Sequence, residues 1–435
     1  MTVKAGTIVT VAGHTVIQRL QSQGLGDVRI PINTIREIGN DSVVDKVPGE
    51  PEFTFSMESL AVDNSIEALL HGEIATGTGP TNGAGYGDAA GTEYPWTEAQ
   101  PLTICSPWKD PQSYGSGNVI AGHIIPGYFP SKLDYKFGVT ENASITAELR
   151  GGTFYYGLGA PTEDTLLASA GNKGPYTTLE PVIRYRVGGV EGTTFYGILG
   201  LLVNGVQMVQ GEDYVENETP GPIGGTAVLG FTFTSYTPKA GDTIRVAYFT
   251  DNAHAYPTSV QESSLILPGA IRGRNIKLSV STISIDPDTG VETFGAWQMV
   301  YGVQTVTLSA SFDITPEREL ANDKIISYTV NGTDVTGTLT QHAKDASAFF
   351  NLIAQSTGLN TQQELVGWLN INPLRLKIEL QNPRNPSEVL KTLYVPDAFI
   401  TIPGTPAKAN AVVDFSMSWE SITGVFSAYQ GECPL

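Results

Sequence analysis

Apolar and polar residues alternate with a period of two along many short stretches of this chain. In the clearest stretch, residues 411–419, Val413, Phe415, Met417 and Trp419 alternate with Val412, Asp414, Ser416 and Ser418. Such alternation predicts a strand with one buried face and one solvated face. Strands are likewise expected over 134–149 and 374–380, and shorter alternating runs begin at Asp27 and Thr305.

Two other stretches carry apolar residues at the three- and four-residue spacing of a helix. The first is 59–70 and the second is 343–354. Their apolar stripes are Leu60, Ile66, Leu69 and Leu70 in the first, and Phe349, Phe350 and Ile353 in the second. Because such stripes are usually core contacts, we expect each stretch to form one helix packed on a sheet.

The chain contains an internal repeat. Residues 36–41 match residues 318–323 at four of six positions, and residues 16–22 align with 299–305. Further downstream the aligned pairs are Phe129 with Phe399, Glu148 with Glu420, Gly152 with Gly424, and Phe154 with Phe426. Since the blocks keep their order and spacing, they predict a duplicated domain. We place the first repeat at 1–158 and the second repeat at 263–435, each an antiparallel β domain with one helix.

The repeated hexapeptides have two interpretations. They comprise Arg36, Glu37, Asn40 and Asp41 in the first repeat, and Arg318, Glu319, Asn322 and Asp323 in the second. Asn and Asp tolerate turn geometry and hydrogen-bond to nearby backbone groups, which favours a turn that folding requires. The alternative is a contact between subunits or between stacked rings. The sequence leaves both open.

The segment 159–262 shares none of the repeated blocks. Asn204-Gly205 between apolar runs predicts a hairpin, and short strands separated by frequent turns favour a small sandwich. The fold class is therefore mainly β, with two sandwich or barrel domains that each carry a helix and a small immunoglobulin-like sandwich between them.

Composition limits the classes of function that the chain can have. The chain has 435 residues and a net charge of −19, and acidic residues outnumber basic ones in all three parts. A protein that grips nucleic acid would show a basic face, so we expect no such grip. Two cysteines far apart make no disulfide framework. The N-terminal residues resemble no signal peptide and no apolar run reaches about 18 residues, so we expect a cytoplasmic product that meets no membrane.

Candidate chemical sites all have simpler interpretations. The acidic pairs Glu50/Glu52 and Glu212/Asp213 lie in polar turn segments without a surrounding aromatic cleft. Residues 286–290 resemble the start of a calcium loop but lack its later acidic ligand, so a hairpin turn is favoured. The glycine-rich 77–87 lacks the ending of a phosphate loop, and the five histidines lack metal-ligand spacing. We expect no catalytic residues, no metal and no cofactor. The basic run 272–277 is interpreted as a strand with solvated charges or as one side of an intersubunit salt bridge.

The layout of residues 16–70 and 102–154, with its echo in 299–354 and 374–426, resembles bacteriophage tail tube proteins. The central segment resembles the immunoglobulin-like decoration modules of phage tail proteins, through Val203–Val206 and residues 239–248. The resemblance covers about three quarters of the chain, and it depends on the order and duplication of motifs that are individually weakly specific.

The resemblance implies a structural virion protein and not an enzyme. Family members join their sheets into an inner barrel of six tube domains, and the rings stack into a conduit for DNA. Two tube domains per chain imply three chains per ring. Implied partners are further copies of the chain and other tail proteins (tape measure, terminator and tip), with viral DNA passing through the lumen without specific binding. The alternatives are a baseplate or tail-tip hub of the same fold, or a carbohydrate-binding or glycosidase β protein.

Overall fold

The structure is a computed structural model, and it is mainly β. It describes residues 11–12, 15–16, 20–25, 32–35, 45–48, 52–60, 66–67, 101–109, 119–183, 185–187, 194–217, 228–250, 270–285, 292–318, 325–342, 349, 353–354, 357, 372–401 and 414–432.

The strands of the first repeat are β1 (Val11–Ala12), β2 (Thr15–Val16), β3 (Leu20–Leu25), β4 (Ile32–Ile35), β5 (Asp45–Pro48), β6 (Phe53–Leu60), β7 (Leu102–Lys109), β8 (Val119–Gly138), β9 (Ser144–Gly151) and β10 (Tyr155–Leu158). The central segment contains β11 (Ala160–Leu167), β12 (Tyr176–Pro181), β13 (Tyr185–Val187), β14 (Thr194–Tyr196), β15 (Ile198–Val203), β16 (Val206–Gln207), β17 (Tyr214–Glu216), β18 (Val228–Phe233) and β19 (Thr243–Thr250).

The second repeat opens with a 3-10 turn, Gly273–Asn275. Its strands are β20 (Ile276–Ile285), β21 (Glu292–Phe294), β22 (Gln298–Met299), β23 (Val303–Glu317), β24 (Ser327–His342), β25 (Leu374–Asn382), β26 (Asn385–Thr401), β27 (Asp414–Ser421) and β28 (Ser427–Gln430). The predicted strands over 374–380 and 411–419 are thereby confirmed where the structure describes them, and the stretch 134–149 forms the end of β8 and most of β9, with 139–143 outside both strands.

Strands of both repeats belong to one antiparallel sheet. Following the pairings, the strands run β3-β6-β9-β8 in the first repeat and continue as β23-β24-β27-β26-β25-β20 in the second. The link between the repeats is the pairing of β8 with β23. The two duplicated units are therefore joined edge to edge by main-chain hydrogen bonds.

Strand pairing in the second repeat reproduces that of the first. The pairs β1–β2, β1–β7, β3–β6, β6–β9, β7–β8, β8–β9 and β8–β10 recur as β20–β22, β20–β25, β23–β24, β24–β27, β25–β26, β26–β27 and β26–β28. Even local irregularities recur, because a register shift at Leu20/Ser22 is matched by one at Val303/Thr305. The sequence repeat is thus also a repeat of topology.

The registers test the sequence alignment directly. Val11 pairs with Val16, and Ser279 pairs with Met299, so the predicted equivalence of Val16 and Met299 is confirmed. Phe129 pairs with Arg150, whereas Phe399 pairs with Glu420. Glu420 is therefore the counterpart of Arg150, and the predicted equivalence of Glu148 and Glu420 is wrong by two residues. The second repeat has two extra residues, Ile422–Thr423, after Glu420. The sequence alignment places the two extra residues earlier, between Phe399 and Glu420.

The β4–β5 hairpin of the first repeat has a counterpart in the second. Ile32 pairs with Pro48 and Ile35 with Asp45. At the far end of the long β23–β24 hairpin, Ile314 pairs with Val330 and Glu317 with Ser327. The spacing along the chain is the same in both cases. Both repeated hexapeptides therefore follow the first strand of an equivalent hairpin.

The predicted helices lie largely outside the described residues. Ile66 and Glu67 are helical in the first stretch, and Phe349, Ile353 and Ala354 are helical in the second. The predicted start at Ser59 is wrong, since β6 extends to Leu60. In β6, alternate residues Phe55, Met57 and Ser59 are buried, and this period of two overrides the helical spacing of the leucines.

The hydrophobic core is continuous across the two repeats. Leu133 and Tyr135 of β8 pack in the same buried cluster as Leu308 and Ala310 of β23, and Ile66, Phe349 and Ile353 belong to it as well. Burial follows the period of two of the strands, so each strand of the joint presents one apolar face to this core and one polar face outward.

The central segment forms a two-sheet sandwich, here called the central sandwich. One sheet has the order β11-β19-β15-β16 and the other β12-β18-β17, with Leu201, Phe231 and Val246 in the core between them. The Asn204-Gly205 hairpin prediction is confirmed, because β15 pairs with β16 and both turn residues have positive φ, 51° and 83°. That combination matches the right-handed twist of the flanking strands.

The central sandwich packs tightly on the first repeat. A single residue, Gly159 with φ +101°, separates β10 from β11. A Cβ on Gly122 of β8 would lie 2.6 Å from Pro161, and a Cβ on Gly200 would lie 2.6 Å from Pro126. Glycine at these positions lets the two backbones approach, and the sandwich is therefore docked on the repeat.

Candidate assembly interface

The joint between β8 and β23 is the strand pairing that links the two repeats. It runs over seven residue pairs, from Thr305 with Gly138 to Ser311 with Lys132. On its polar face Lys132 forms an ion pair with Asp134 at 2.8 Å, and the hydroxyls of Thr307 and Thr338 lie 2.8 Å apart. The polar face beside the joint thus carries charged and hydroxyl groups that are paired within their own repeat.

A buried ion pair crosses the same joint beneath the sheet. Lys391 Nζ of β26 donates to Oε1 of Glu67, and the Tyr135 hydroxyl donates to that same oxygen at 2.6 Å. Both charged side chains are fully buried. The Lys391 ammonium also lies 5.3 Å from the centre of the Tyr135 ring. Because an unpaired buried charge is costly, this triad favours one specific fit of the two repeats.

The tip of the β23–β24 hairpin lies on the first repeat. The Tyr328 ring stacks on Phe129 with centroids 5.2 Å apart, and its hydroxyl donates to the Arg150 carbonyl at 3.0 Å. The Ile325 side chain lies against Gly152, where a Cβ would be 3.3 Å away. Burial raises the pKa of the Tyr328 hydroxyl, so it stays a donor at physiological pH. The hairpin tip therefore forms a second contact between the repeats.

The two strands of this joint have counterparts elsewhere in the chain. Strand β3 is the counterpart of β23, and among the described strands it pairs with β6 alone. By the registers, Thr401 at the end of β26 is the counterpart of Lys132 in β8. The segment 402–413 lies outside the described residues. Each chain thus makes one joint internally, and the described residues place the counterpart of one half in β3 and the first residue of the counterpart of the other half at Thr401.

The structure describes only one of the eight predicted turn residues. Arg36, Glu37, Asn40, Asp41, Glu319, Asn322 and Asp323 lie outside the described residues. Arg318 is half-buried and directly follows β23. Its positive charge acts to lower the pKa of Tyr328, which places it near the contact between the hairpin tip and Phe129.

The neighbouring carboxylate of Glu317 stabilises the start of this turn. Both of its oxygens accept hydrogen bonds from β24, one from the Ser327 hydroxyl and one from the Thr329 hydroxyl. These hydrogen bonds hold the pKa of Glu317 below its usual value. The carboxylate therefore ties the two strands together where the hexapeptide begins.

The docking surface of the central sandwich contains a buried acid. Glu163 of β11 is 5% exposed, and neither of its oxygens has a hydrogen-bond partner of standard geometry. Burial raises the pKa of Glu163, Arg245 and Thr103 act to lower it, and the adjacent Asp164 raises it. Cys105, Ile124 and Phe249 form the apolar cluster at this surface. The backbone N–H of Gln207 donates to the Ile326 carbonyl at 3.0 Å, so the sandwich contacts both repeats.

Sequence patterns did not reveal these contacts. Glu67 and Lys391 are 324 residues apart, and neither lies in a charge pattern that indicates a partner. Tyr328 and Phe129 occur in ordinary strand sequences. The one available signal was the register of the repeat, which places Phe129 and Phe399 at equivalent positions.

The described part of the chain bears on two of the features considered above. Within it, no group of three or more His, Cys, Asp or Glu side chains is placed to hold a metal ion. No helix formed by the described residues is long and apolar enough to span a membrane. Comparison with protein-family models and with curated proteins gives no match to this chain.

Proposed function

We propose that this protein is a structural subunit that assembles into rings through its sheet edges, and that the stacked rings form the tail tube of a bacteriophage. The observation that carries the proposal is the β8–β23 joint, together with β3, the counterpart of β23, which pairs only with β6 among the described strands. An unpaired edge is a template for another strand, and a head-to-tail contact generates a ring when its rotation closes.

The resemblance to tail tube proteins supplies the size and role of the ring. Six tube domains in that family correspond to three chains of this protein. The proposed partners are further copies of the chain and other tail proteins. The ring lies in the virion, and DNA passes through its lumen without specific binding. The function is structural and involves no catalysis or cofactor.

Electron microscopy of purified protein over a concentration series tests this proposal. We expect rings or tubes, and a reconstruction with three chains per ring in which both repeats line one lumen. A monomer that persists at high concentration would contradict assembly, and six chains per ring would contradict the threefold arrangement.

An edge variant tests the mechanism. Among the described residues, no atom lies within 4 Å of a Cβ placed on Gly24, so a small side chain fits there. Gly24→Pro removes one main-chain donor from β3, and prolines in sheets occur mainly on such terminal strands. We expect Gly24→Pro to remain a folded monomer while Gly24→Ala still assembles. Unimpaired rings from Gly24→Pro would show that β3 is not the joining edge.

A further inference from the structure

The two repeats differ in how one equivalent phenylalanine is covered. Phe129 pairs with Arg150 in the first repeat, and Phe399 pairs with Glu420 in the second. Phe129 is 1% exposed because Tyr328 covers it, whereas Phe399 remains partly exposed. The second repeat thus presents a position that lacks the cover found in the first.

Exposed apolar residues occur in the turn next to the strand pair that contains this phenylalanine. Ile422 is 62% exposed and Val425 is 37% exposed, and both lie in the turn that follows β27. The Ile422 N–H donates to the Asp397 carbonyl, which holds this turn beside β26. Phe399, Ile422 and Val425, together with Glu420, are here called the second-repeat patch.

The residue that would cover this patch can be identified from the register. In the second repeat Pro316 pairs with Tyr328, and in the first repeat Thr34 pairs with Lys46. These pairs occupy the same place in the two equivalent hairpins. Lys46 is therefore the first-repeat counterpart of Tyr328.

The residues equivalent to Tyr328 and to Arg150 differ from them in chemistry. Within the chain, Tyr328 meets Phe129 and the backbone of Arg150. At the equivalent contact Lys46 replaces the tyrosine, and Glu420 replaces the arginine. An ammonium group suits an aromatic face and a carboxylate, so the two replacements are complementary in charge.

The order of strand pairing separates the patch from the first-repeat end of the same chain. That hairpin directly follows β3, which is the terminal strand at the first-repeat end of the joined sheet. Phe399 and Glu420 lie in β26 and β27, beyond β23 and β24 in the order of pairing. A second copy placed by the same edge pairing brings its own hairpin to the patch.

We propose that Lys46 of one chain docks on Phe399 and pairs with Glu420 of a second copy, and that this contact fixes the order in which chains join. This inference rests on the proposed self-assembly. It identifies the partner as the first-repeat hairpin of another copy, in contact with the second-repeat patch. The charged pair favours first-to-second joining over contact between two like repeats.

Charge reversal and charge exchange test the contact. We expect Lys46→Glu and Glu420→Lys each to raise the concentration for half-assembly by about tenfold, because each places like charges together. The double variant K46E/E420K should return to within about twofold of the original protein. Sedimentation velocity measures assembly, and thermal unfolding of the monomers checks their folding. Lys173→Glu, on the central sandwich, is the matched control and should assemble normally.

The outcomes separate this inference from the proposed function. If the original protein assembles and both single reversals are neutral, the Lys46 contact is wrong while the ring proposal stands. If both singles weaken assembly and the double variant does not recover, the two residues act separately and the pairing is again wrong. If the original protein never assembles, the proposed function fails, and this inference fails with it.

Discussion

Lys391 and Glu67 form a fully buried ion pair that joins the second repeat to the first. The Tyr135 hydroxyl donates to the same Glu67 oxygen, so the carboxylate is held from two sides. This contact lies at the joint made within one chain. It therefore determines how firmly the two repeats act as a single unit before any assembly begins.

Removal of one charge from this pair should be strongly destabilising. Lys391→Met leaves a buried carboxylate without its cation, and we expect a loss of about 3–5 kcal/mol in the free energy of unfolding. Lys132→Met removes a partly exposed ion pair with Asp134 and should cost less than about 1 kcal/mol. Both substitutions are introduced into the Gly24→Pro variant, which is expected to stay monomeric. Denaturant unfolding of these monomers measures the two losses. Equal losses for the two variants would contradict a special role for the buried pair.

The buried acid of the central sandwich should make stability depend on pH. The pKa of Glu163 is raised in the folded protein, mainly by burial. The contribution of Glu163 to the free energy of unfolding is therefore fully present below its unfolded-state pKa and is lost as pH rises through its folded-state pKa. The charged or titratable groups around it are Arg245, Asp164 and Cys105.

We expect Glu163→Gln to stabilise the protein at neutral pH and to reduce the loss of stability that occurs as pH rises. Unfolding midpoints measured from pH 4 to pH 8 provide the comparison. Glu212→Gln, at an exposed position of the same sandwich, should leave the pH profile unchanged. A Glu163→Gln profile parallel to that of the original protein would show that Glu163 does not cause the decline.

Because the central sandwich is docked on the first repeat, its removal should expose apolar surface of that repeat. Replacement of residues 160–250 by a flexible Gly/Ser linker exposes the apolar cluster around Ile124 and Cys105. We expect that variant to aggregate, and the same deletion carrying Ile124→Thr and Cys105→Ser to be soluble and to form rings. Light scattering and electron microscopy distinguish the two. A soluble, folded deletion that never assembles would place the sandwich in the assembly interface.

The polar face of the joined sheet should not bind DNA. It carries serine and threonine hydroxyls on β23 and β24 and a mixture of charges on β8 and β9, including Asp134 and Glu148 beside Lys132. We expect no measurable duplex binding at physiological salt, since binding requires a continuous basic surface. A variant with Glu58→Lys, Asp134→Lys and Glu148→Lys should gain salt-dependent binding and serves as the positive control. Micromolar affinity of the original protein in a fluorescence titration would contradict the expectation.

Local sequence patterns correctly predicted the features that depend on neighbouring residues. The period of two identified the strands because alternate side chains point to opposite faces. Asn204-Gly205 identified its hairpin because these residues adopt positive φ at low cost. The helix predicted from Ser59 failed at its start, since the burial of Phe55, Met57 and Ser59 against the sheet outweighed the helical spacing.

By itself, the sequence determined the mainly β fold and the duplication, including the equivalence of Val16 and Met299. Only the tertiary structure revealed that β8 pairs with β23, that Lys391 meets Glu67, and that Phe129 is buried under Tyr328 while Phe399 is partly exposed. Edge pairing uses main-chain groups that every residue carries, so it leaves no trace in side-chain pattern. A contact between residues 324 positions apart depends on how whole sheets pack, and no local stretch of sequence encodes that packing.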